Sequence, residues 1–216
     1  MIPTLKEATK LHQANQLDQA EESYLQILKN NPNVSEAFQL LGTLYLQKNN
    51  LEKSEEYLLK YLKVNSKSSL ALNNLGILKK RIKNYKKAEY FFKKNIKINN
   101  HWDSRVNLGN LYLEIKDFKN SLTVFHNLSI EKNDSKVLNG LALSYFMNGK
   151  VSDSIKLFES LINENFYNSD CLFNYAFCLN KLKKYKESII ILNKLIFLEP
   201  SYLKAFIIRA DSFLNL

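Results

Sequence analysis

Apolar residues at helical spacing, broken by a short polar turn, are clearest within residues 102–134. Leu108 and Tyr112 are four residues apart, which places them on one face of a first helix. Lys116-Asp117 predicts a polar turn. The small and apolar positions of a second helix then follow at intervals of four and three: Ser121, Phe125 and Leu128. This stretch therefore predicts a pair of antiparallel helices.

The same pattern recurs along the whole chain with a period of 33 or 34 residues. One small residue marks each first helix: Ala8, Gly42, Gly76, Gly109, Ala142, Ala176 and Ala210. Another small residue follows twelve places later: Ala20, Ser54, Ala88, Ser121, Ser154 and Ser188. A bulky apolar residue stands nine positions after the first small residue of each repeat: Leu17, Leu51, Tyr85, Phe118, Val151 and Tyr185. Another stands sixteen positions after it: Tyr24, Leu58, Phe92, Phe125, Phe158 and Leu192. A single hairpin cannot bury its apolar face alone, so this period predicts stacked hairpins.

The pattern resembles the tetratricopeptide repeat family, whose signature joins Leu-Gly-x-x-Tyr to a small residue, an aromatic residue and a closing proline. The fullest matches are Leu41, Gly42, Tyr45, Leu51 and Ser54, and then Leu108, Gly109, Tyr112, Phe118, Ser121 and Phe125. The resemblance implies an all-α fold, an α-α superhelix (solenoid) of about six and a half helix-turn-helix repeats. The expected repeats of this single array over residues 1–216 are 1–34, 35–68, 69–101, 102–134, 135–168, 169–202 and a partial one at 203–216.

The ends of the predicted helices carry local signals. We expect four serines to open first helices and to accept hydrogen bonds from the first-turn backbone: Ser35, Ser69, Ser135 and Ser169. Gly149 is expected to supply a left-handed residue at the end of its helix. Pro32 and Pro200 stand where proline would end a second helix.

Composition agrees with a helical chain and points to no secretory or membrane class. The 216 residues are 45% hydrophobic with only five glycines and three prolines, too little turn chemistry for a β-rich fold. The N-terminus has no continuous apolar run, and no stretch approaches the roughly 20 apolar residues that span a membrane. We therefore expect no membrane insertion and a cytoplasmic location.

No catalytic chemistry is indicated by the sequence. The glycines form neither a dinucleotide fingerprint nor a Walker sequence. His12, His101 and His126 fall in different repeats, with no carboxylate or cysteine at metal-ligand spacing. Cys171 and Cys178 lie seven residues apart on one predicted helix, about 10 Å and too far for a disulfide. We predict a chain that is not an enzyme, with no catalytic residue, no metal site and no cofactor.

The family resemblance implies recognition instead, because first helices of this family line a concave groove. The residues predicted to form a peptide-binding groove are Asn74, Asn107, Asn110, Leu143, Phe146, Met147, Phe173, Asn174 and Phe177. Asn74, Asn107 and Asn174 share the sixth place of their repeats, and an amide can pair with the backbone of an extended peptide. The alternative is that these amides are satisfied within the protein. The five apolar residues predict a partner site, or else they pack between repeats.

The net charge of +10 is concentrated in the third repeat, which holds nine lysine and arginine residues against Glu89. These charges are spread over both predicted helices, which favours a solvated face. Contact with nucleic acid is the less favoured alternative.

The last predicted helix is unusually apolar, with Phe206, Ile207, Ile208, Phe213, Leu214 and Leu216. It caps the array, or the natural chain continues beyond it, and an oligomer through this helix is possible. The predicted function is a non-catalytic protein–protein interaction scaffold that binds an extended peptide or a partner helix. The alternative is the recognition region of a larger glycosyltransferase or sulfotransferase whose catalytic domain lies outside this chain. A basic nucleic-acid adaptor is less favoured.

Overall fold

The computed structural model describes residues 2–165 and 167–216, and within these ranges it contains thirteen helices and no strand. The helices are α1 (Leu5–Gln13), α2 (Leu17–Asn30), α3 (Ser35–Gln47), α4 (Leu51–Val64), α5 (Ser69–Arg81), α6 (Tyr85–Asn99), α7 (Trp102–Glu114), α8 (Phe118–Glu131), α9 (Ser135–Met147), α10 (Val151–Asn163), α11 (Ser169–Lys181), α12 (Tyr185–Leu198) and α13 (Leu203–Leu214). Odd-numbered helices are first helices of hairpins, and even-numbered helices are second helices. The all-α prediction is confirmed.

Every turn between a first and a second helix contains one left-handed residue. Its φ is 77° at Gly149, as predicted, and 57° to 63° at Asn15, Asn49, Lys83, Lys116 and Lys183. The second helix begins two residues later in each case, at the bulky apolar residue nine places after the small one. The left-handed conformation reverses the chain within a few residues, although only one of the six turns uses glycine for it.

The small residues of the pattern lie where two helix backbones approach. The Ser54 hydroxyl donates to the Gly42 carbonyl oxygen at 2.8 Å, and the Ser188 hydroxyl donates to the Ala176 carbonyl oxygen at 2.9 Å. A Cβ atom added at Gly42 would come within 2.6 Å of Leu58 Cγ. Only a very small side chain fits at such a crossing, because side chains in a close-packed interior leave no room for an added methyl group.

The first helices begin at the predicted serines, but the serines do not cap them. The cap is the preceding residue at α5 (Ser68), α9 (Asp134) and α11 (Asn168), each of which accepts a backbone N–H of the first turn through its side chain. At α3 the preceding residue is Val34, which offers no side-chain acceptor. The predicted caps were therefore wrong by one residue. Ser, Asp and Asn all offer a side-chain oxygen to the first-turn backbone, and here the residue before each predicted serine supplies it at α5, α9 and α11.

The chain divides into two compact units, Met1–Asn107 and Leu108–Leu216. The first unit has a buried cluster that includes Tyr24, Leu41 and Tyr45, and it joins α1, α2 and α3. Lys48 ties α3 to α2 at its edge, with Nζ 2.5 Å from Asp18 Oδ1 and 2.6 Å from Glu21 Oε2.

The second unit is organised around buried aromatic rings. Phe125 of α8 is fully buried, and a Cβ atom at Gly109 or Gly140 would come within 2.8 Å or 2.4 Å of its Cζ atom. Phe158 of α10 stacks on Tyr175 of α11, with ring centroids 5.3 Å apart. Each ring therefore packs against the following first helix, which is how a second helix joins one hairpin to the next.

Replacing Lys183 by glycine should raise the free energy of unfolding by up to about 1 kcal/mol, because the left-handed conformation is strained for a residue with a Cβ atom. Urea unfolding followed by circular dichroism measures the change. The control Lys156→Gly lies inside α10 and should lower the free energy of unfolding by about 1 kcal/mol. A clear loss of stability in Lys183→Gly would contradict the strained turn.

Candidate functional site

Two of the three histidines are used in packing and capping rather than gathered at a site. Nε2 of His12 lies 2.8 Å from Gln47 Oε1, which joins α1 to α3. Nδ1 of His101 accepts the backbone N–H of Ser104 at 3.3 Å, in the first turn of α7. His126 is exposed on α8. In the part of the chain that the structure describes, no group of three or more His, Cys, Asp or Glu could hold a metal ion.

The two cysteines are free and buried in the second unit. Burial raises the pKa of both the Cys171 and the Cys178 thiol to about 12. A thiol reacts as its thiolate, so neither sulfur is suited to nucleophilic chemistry near neutral pH. Both cysteines are therefore core thiols, and neither forms the disulfide that their spacing excluded.

Some of the positive charge of the third repeat is used inside the first unit. Lys79 is buried, and its Nζ lies 2.5 Å from both carboxylate oxygens of Glu55 on α4. Nη1 of Arg81 donates to the Leu46 carbonyl oxygen at 2.8 Å, near the end of α3. These two cations therefore hold α5 to the preceding hairpin. Apart from Arg81, the exposed cations of this region are Lys83 in the turn and four lysines of α6: Lys86, Lys87, Lys93 and Lys97.

The predicted groove asparagines of the first unit make hydrogen bonds between first helices. Nδ2 of Asn74 donates to Thr43 Oγ1 at 3.0 Å, which links α5 to α3, and Asn74 is only 6% exposed. Nδ2 of Asn107 donates to Asn73 Oδ1 at 3.1 Å, which links α7 to α5, while Asn107 stays partly exposed. The amide of Asn74 is therefore the least accessible of the predicted row.

The second unit repeats this link. Nδ2 of the partly exposed Asn174 donates to Asn139 Oδ1 at 3.1 Å and joins α11 to α9. Asn110 is exposed on α7. Gly140 interrupts the asparagine row because the Phe125 ring occupies the space that a side chain would need.

The sequence did not assign the partners of these amides. Asn73 and Asn139 occupy the fifth place of their repeats and are buried acceptors. Asn107 and Asn174 follow them by 34 and 35 residues, at the sixth place of the next repeat. The recurrence of a fifth-place asparagine followed by a sixth-place asparagine one repeat later is the sequence pattern that could have predicted these hydrogen bonds.

Five predicted apolar residues lie on two packed first helices of the second unit. Leu143, Phe146 and Met147 are partly exposed on α9, and Phe173 and Phe177 are partly exposed on α11, which packs against α9. We call these five residues the apolar strip. Leu143, Phe146, Phe173 and Phe177 also pack against buried clusters of the unit. The side chains of the strip are therefore held in part by packing against the core, and the rest of their apolar surface is exposed to water.

Charge and aromatic contacts border the apolar strip. The Phe173 ring lies 5.4 Å from the Tyr202 ring, measured between centroids. Nζ of Lys181 lies 5.5 Å from the Phe177 ring centroid, within range of a cation–π interaction. No helix in the described ranges is both long and apolar enough to cross a membrane.

Comparisons with known families agree on the repeat type. Residues 5–69 match the family described as Tetratricopeptide repeat, and residues 114–195 match Anaphase-promoting complex, cyclosome, subunit 3. No curated protein matches the chain.

Solved structures share the fold at low sequence identity. A tetratricopeptide repeat protein from Parabacteroides merdae is 19% identical with a TM-score of 0.80, over 96% of this chain and 82% of that one. The Cut9–Hcn1 hetero-tetramer of the APC/C gives 15% identity and a TM-score of 0.79, over 97% of this chain and 42% of that one. YrrB, described as a TPR protein with an unusual peptide-binding site, is 17% identical with a TM-score of 0.61, over 86% of this chain and 97% of that one. The fold class is therefore the α-α solenoid that the sequence predicts.

Both native thiols should resist a thiol reagent such as Ellman's reagent at pH 8 and react only when the second unit unfolds in urea, because burial suppresses thiolate formation. The matched control is Ser152→Cys, which places a thiol on the exposed side of α10 and should react at once. Rapid reaction of the native thiols without urea would contradict their burial.

Proposed function

The chain belongs to the tetratricopeptide repeat family, and on this premise we propose that it is a non-catalytic scaffold that binds a protein partner on its first helices. The partner would present an extended segment or a helix to the concave groove. The observation that carries the proposal is the apolar strip of α9 and α11.

The apolar strip has the properties of a recognition surface. Its five side chains come from two adjacent first helices, so their relative positions are set by helix packing rather than by a loop. Met147 is partly exposed at the last residue of α9, where a ligand could contact its side chain. Burial of apolar surface contributes roughly 25 cal/mol per Å², so a few exposed aromatic and aliphatic groups can support micromolar binding.

The asparagines would add backbone recognition in each unit separately. In the second unit, Asn174 uses its Nδ2 atom to bind Asn139, and the amide oxygen is the atom that would accept a peptide N–H. Asn110 is exposed and could pair with a peptide through both amide atoms. Asn107 would act in the same way in the first unit, whereas Asn74 offers little accessible surface.

The comparisons support this type of function without naming a partner. YrrB is described as having an unusual peptide-binding site, and Cut9 is described in complex with Hcn1. A similar fold in this chain makes a protein ligand the first class to test. A cytoplasmic location and the absence of catalysis remain part of the proposal.

A peptide phage library selected on the 216-residue chain provides the probe. Met147→Glu should weaken the binding of a selected peptide at least about tenfold, because it places a carboxylate in the apolar strip. Fluorescence anisotropy measures the affinity, and a thermal melt of each variant reports folding.

The matched control is Ile130→Glu, which puts the same carboxylate on exposed second helix α8. It should leave the affinity unchanged. Equal weakening by both variants, or no weakening by Met147→Glu, would refute binding at the apolar strip.

A further inference from the structure

Helix α13 has one side that carries only apolar residues and that no helix of the described structure covers. Its buried residues are Ala205 and Ser212, and it packs against α12 and α11. The exposed residues recur at intervals of three and four, so they form one stripe along the helix. They are Leu203 (75% exposed), Phe206 (37%), Ile207 (67%), Ala210, Phe213 (58%) and Leu214 (86%). We call these residues the α13 stripe.

The place of Ala210 in the repeat shows what kind of surface the stripe is. Ala142 and Ala176 occupy the same place in α9 and α11, where both are buried. Each shares a buried cluster with the bulky residue sixteen places later, Phe158 or Leu192, which comes from the second helix of its hairpin. Ala210 is exposed. The α13 stripe is therefore a surface shaped to receive another helix.

We infer that the α13 stripe binds the α13 stripe of a second copy of this chain, in a twofold pair centred on Ala210. The inference goes beyond the proposed groove function and does not depend on it. Alanine at the centre lets two helix axes approach to the roughly 8 Å that close helix packing requires. A twofold interface brings the same patch of both copies together, so the patch must be complementary to itself.

The stripe meets that requirement. At about 100° per residue, Phe206 and Phe213 lie on one side of Ala210, and Ile207 and Leu214 lie on the other. Each pair has one member before and one member after Ala210, three or four residues away. In an antiparallel twofold pair centred on Ala210, Phe206 of one copy would therefore face Phe213 of the other. Ile207 would face Leu214 in the same way.

The available area also suits a dimer of this chain. A fully exposed large apolar residue presents about 200 Å², so the exposed fractions of the stripe amount to roughly 600 Å² per copy. That is at the upper end of the apolar patches on monomeric proteins. A symmetric pair would remove about twice as much from water, which reaches the lower limit of roughly 1,200 Å² for specific interfaces.

Sedimentation equilibrium of the 216-residue chain between about 1 and 100 µM tests the pairing. We expect a mass of twice 25.2 kDa at the upper concentrations. Ile207→Lys and Phe213→Lys should each raise the dissociation constant of the dimer at least about tenfold, because each buries an unpaired charge in the interface. Circular dichroism verifies that both variants keep their helices.

The control Val64→Lys alters an apolar residue of matched exposure, 69%, in the first unit and should leave the dimer intact. Mild oxidation of Ala210→Cys should yield a disulfide-linked dimer, whereas Val64→Cys should not, and the buried native thiols do not compete. A monomer at every concentration would overturn the inference. So would a dimer that Ile207→Lys and Phe213→Lys leave unchanged, or one without a cross-link at position 210.

Discussion

The structure depends on the close approach of a helix with a very small residue to a large side chain of its neighbour. Phe125 shows this most directly, because its buried ring lies against Gly109 of α7 and Gly140 of α9 at distances that leave no room for a Cβ atom. One ring thus packs against the first helix of its own hairpin and that of the next hairpin. A repeat that shares its core in this way gains its stability from neighbouring hairpins rather than from itself.

Close packing of the first helices also decides what is available for binding. In the second unit α9 lies against α11, which lets the Asn174 amide reach Asn139 and leaves Phe146, Met147 and Phe177 partly exposed. The hydrogen bond satisfies a polar group at the helix contact, where an unpaired amide would cost stability. The same packing rule leaves the α13 stripe exposed, since within the described residues α13 packs against α11 and α12 on its opposite side.

Features set by helix periodicity could be predicted from the sequence, and features set by a particular neighbour could not. The sixteen-residue spacing between small and large positions predicted the buried Ala142 and Phe158, because it repeats in every hairpin. The left-handed Lys183 carries no residue signal of its own, since lysine adopts that conformation only where the turn forces it. The partner of Asn174 and the reason for Gly140 each depend on a side chain from another helix.

A double-mutant cycle of Gly140→Ala and Phe125→Leu, measured by urea unfolding, tests the central contact most directly. Alanine normally stabilises a helix by about 1 kcal/mol relative to glycine. Here we predict that Gly140→Ala alone lowers the free energy of unfolding by about 1 to 3 kcal/mol, because its methyl group overpacks the Phe125 ring. In the Phe125→Leu background that loss should disappear, giving a coupling energy of at least about 1 kcal/mol. Additive effects of the two substitutions would contradict the account.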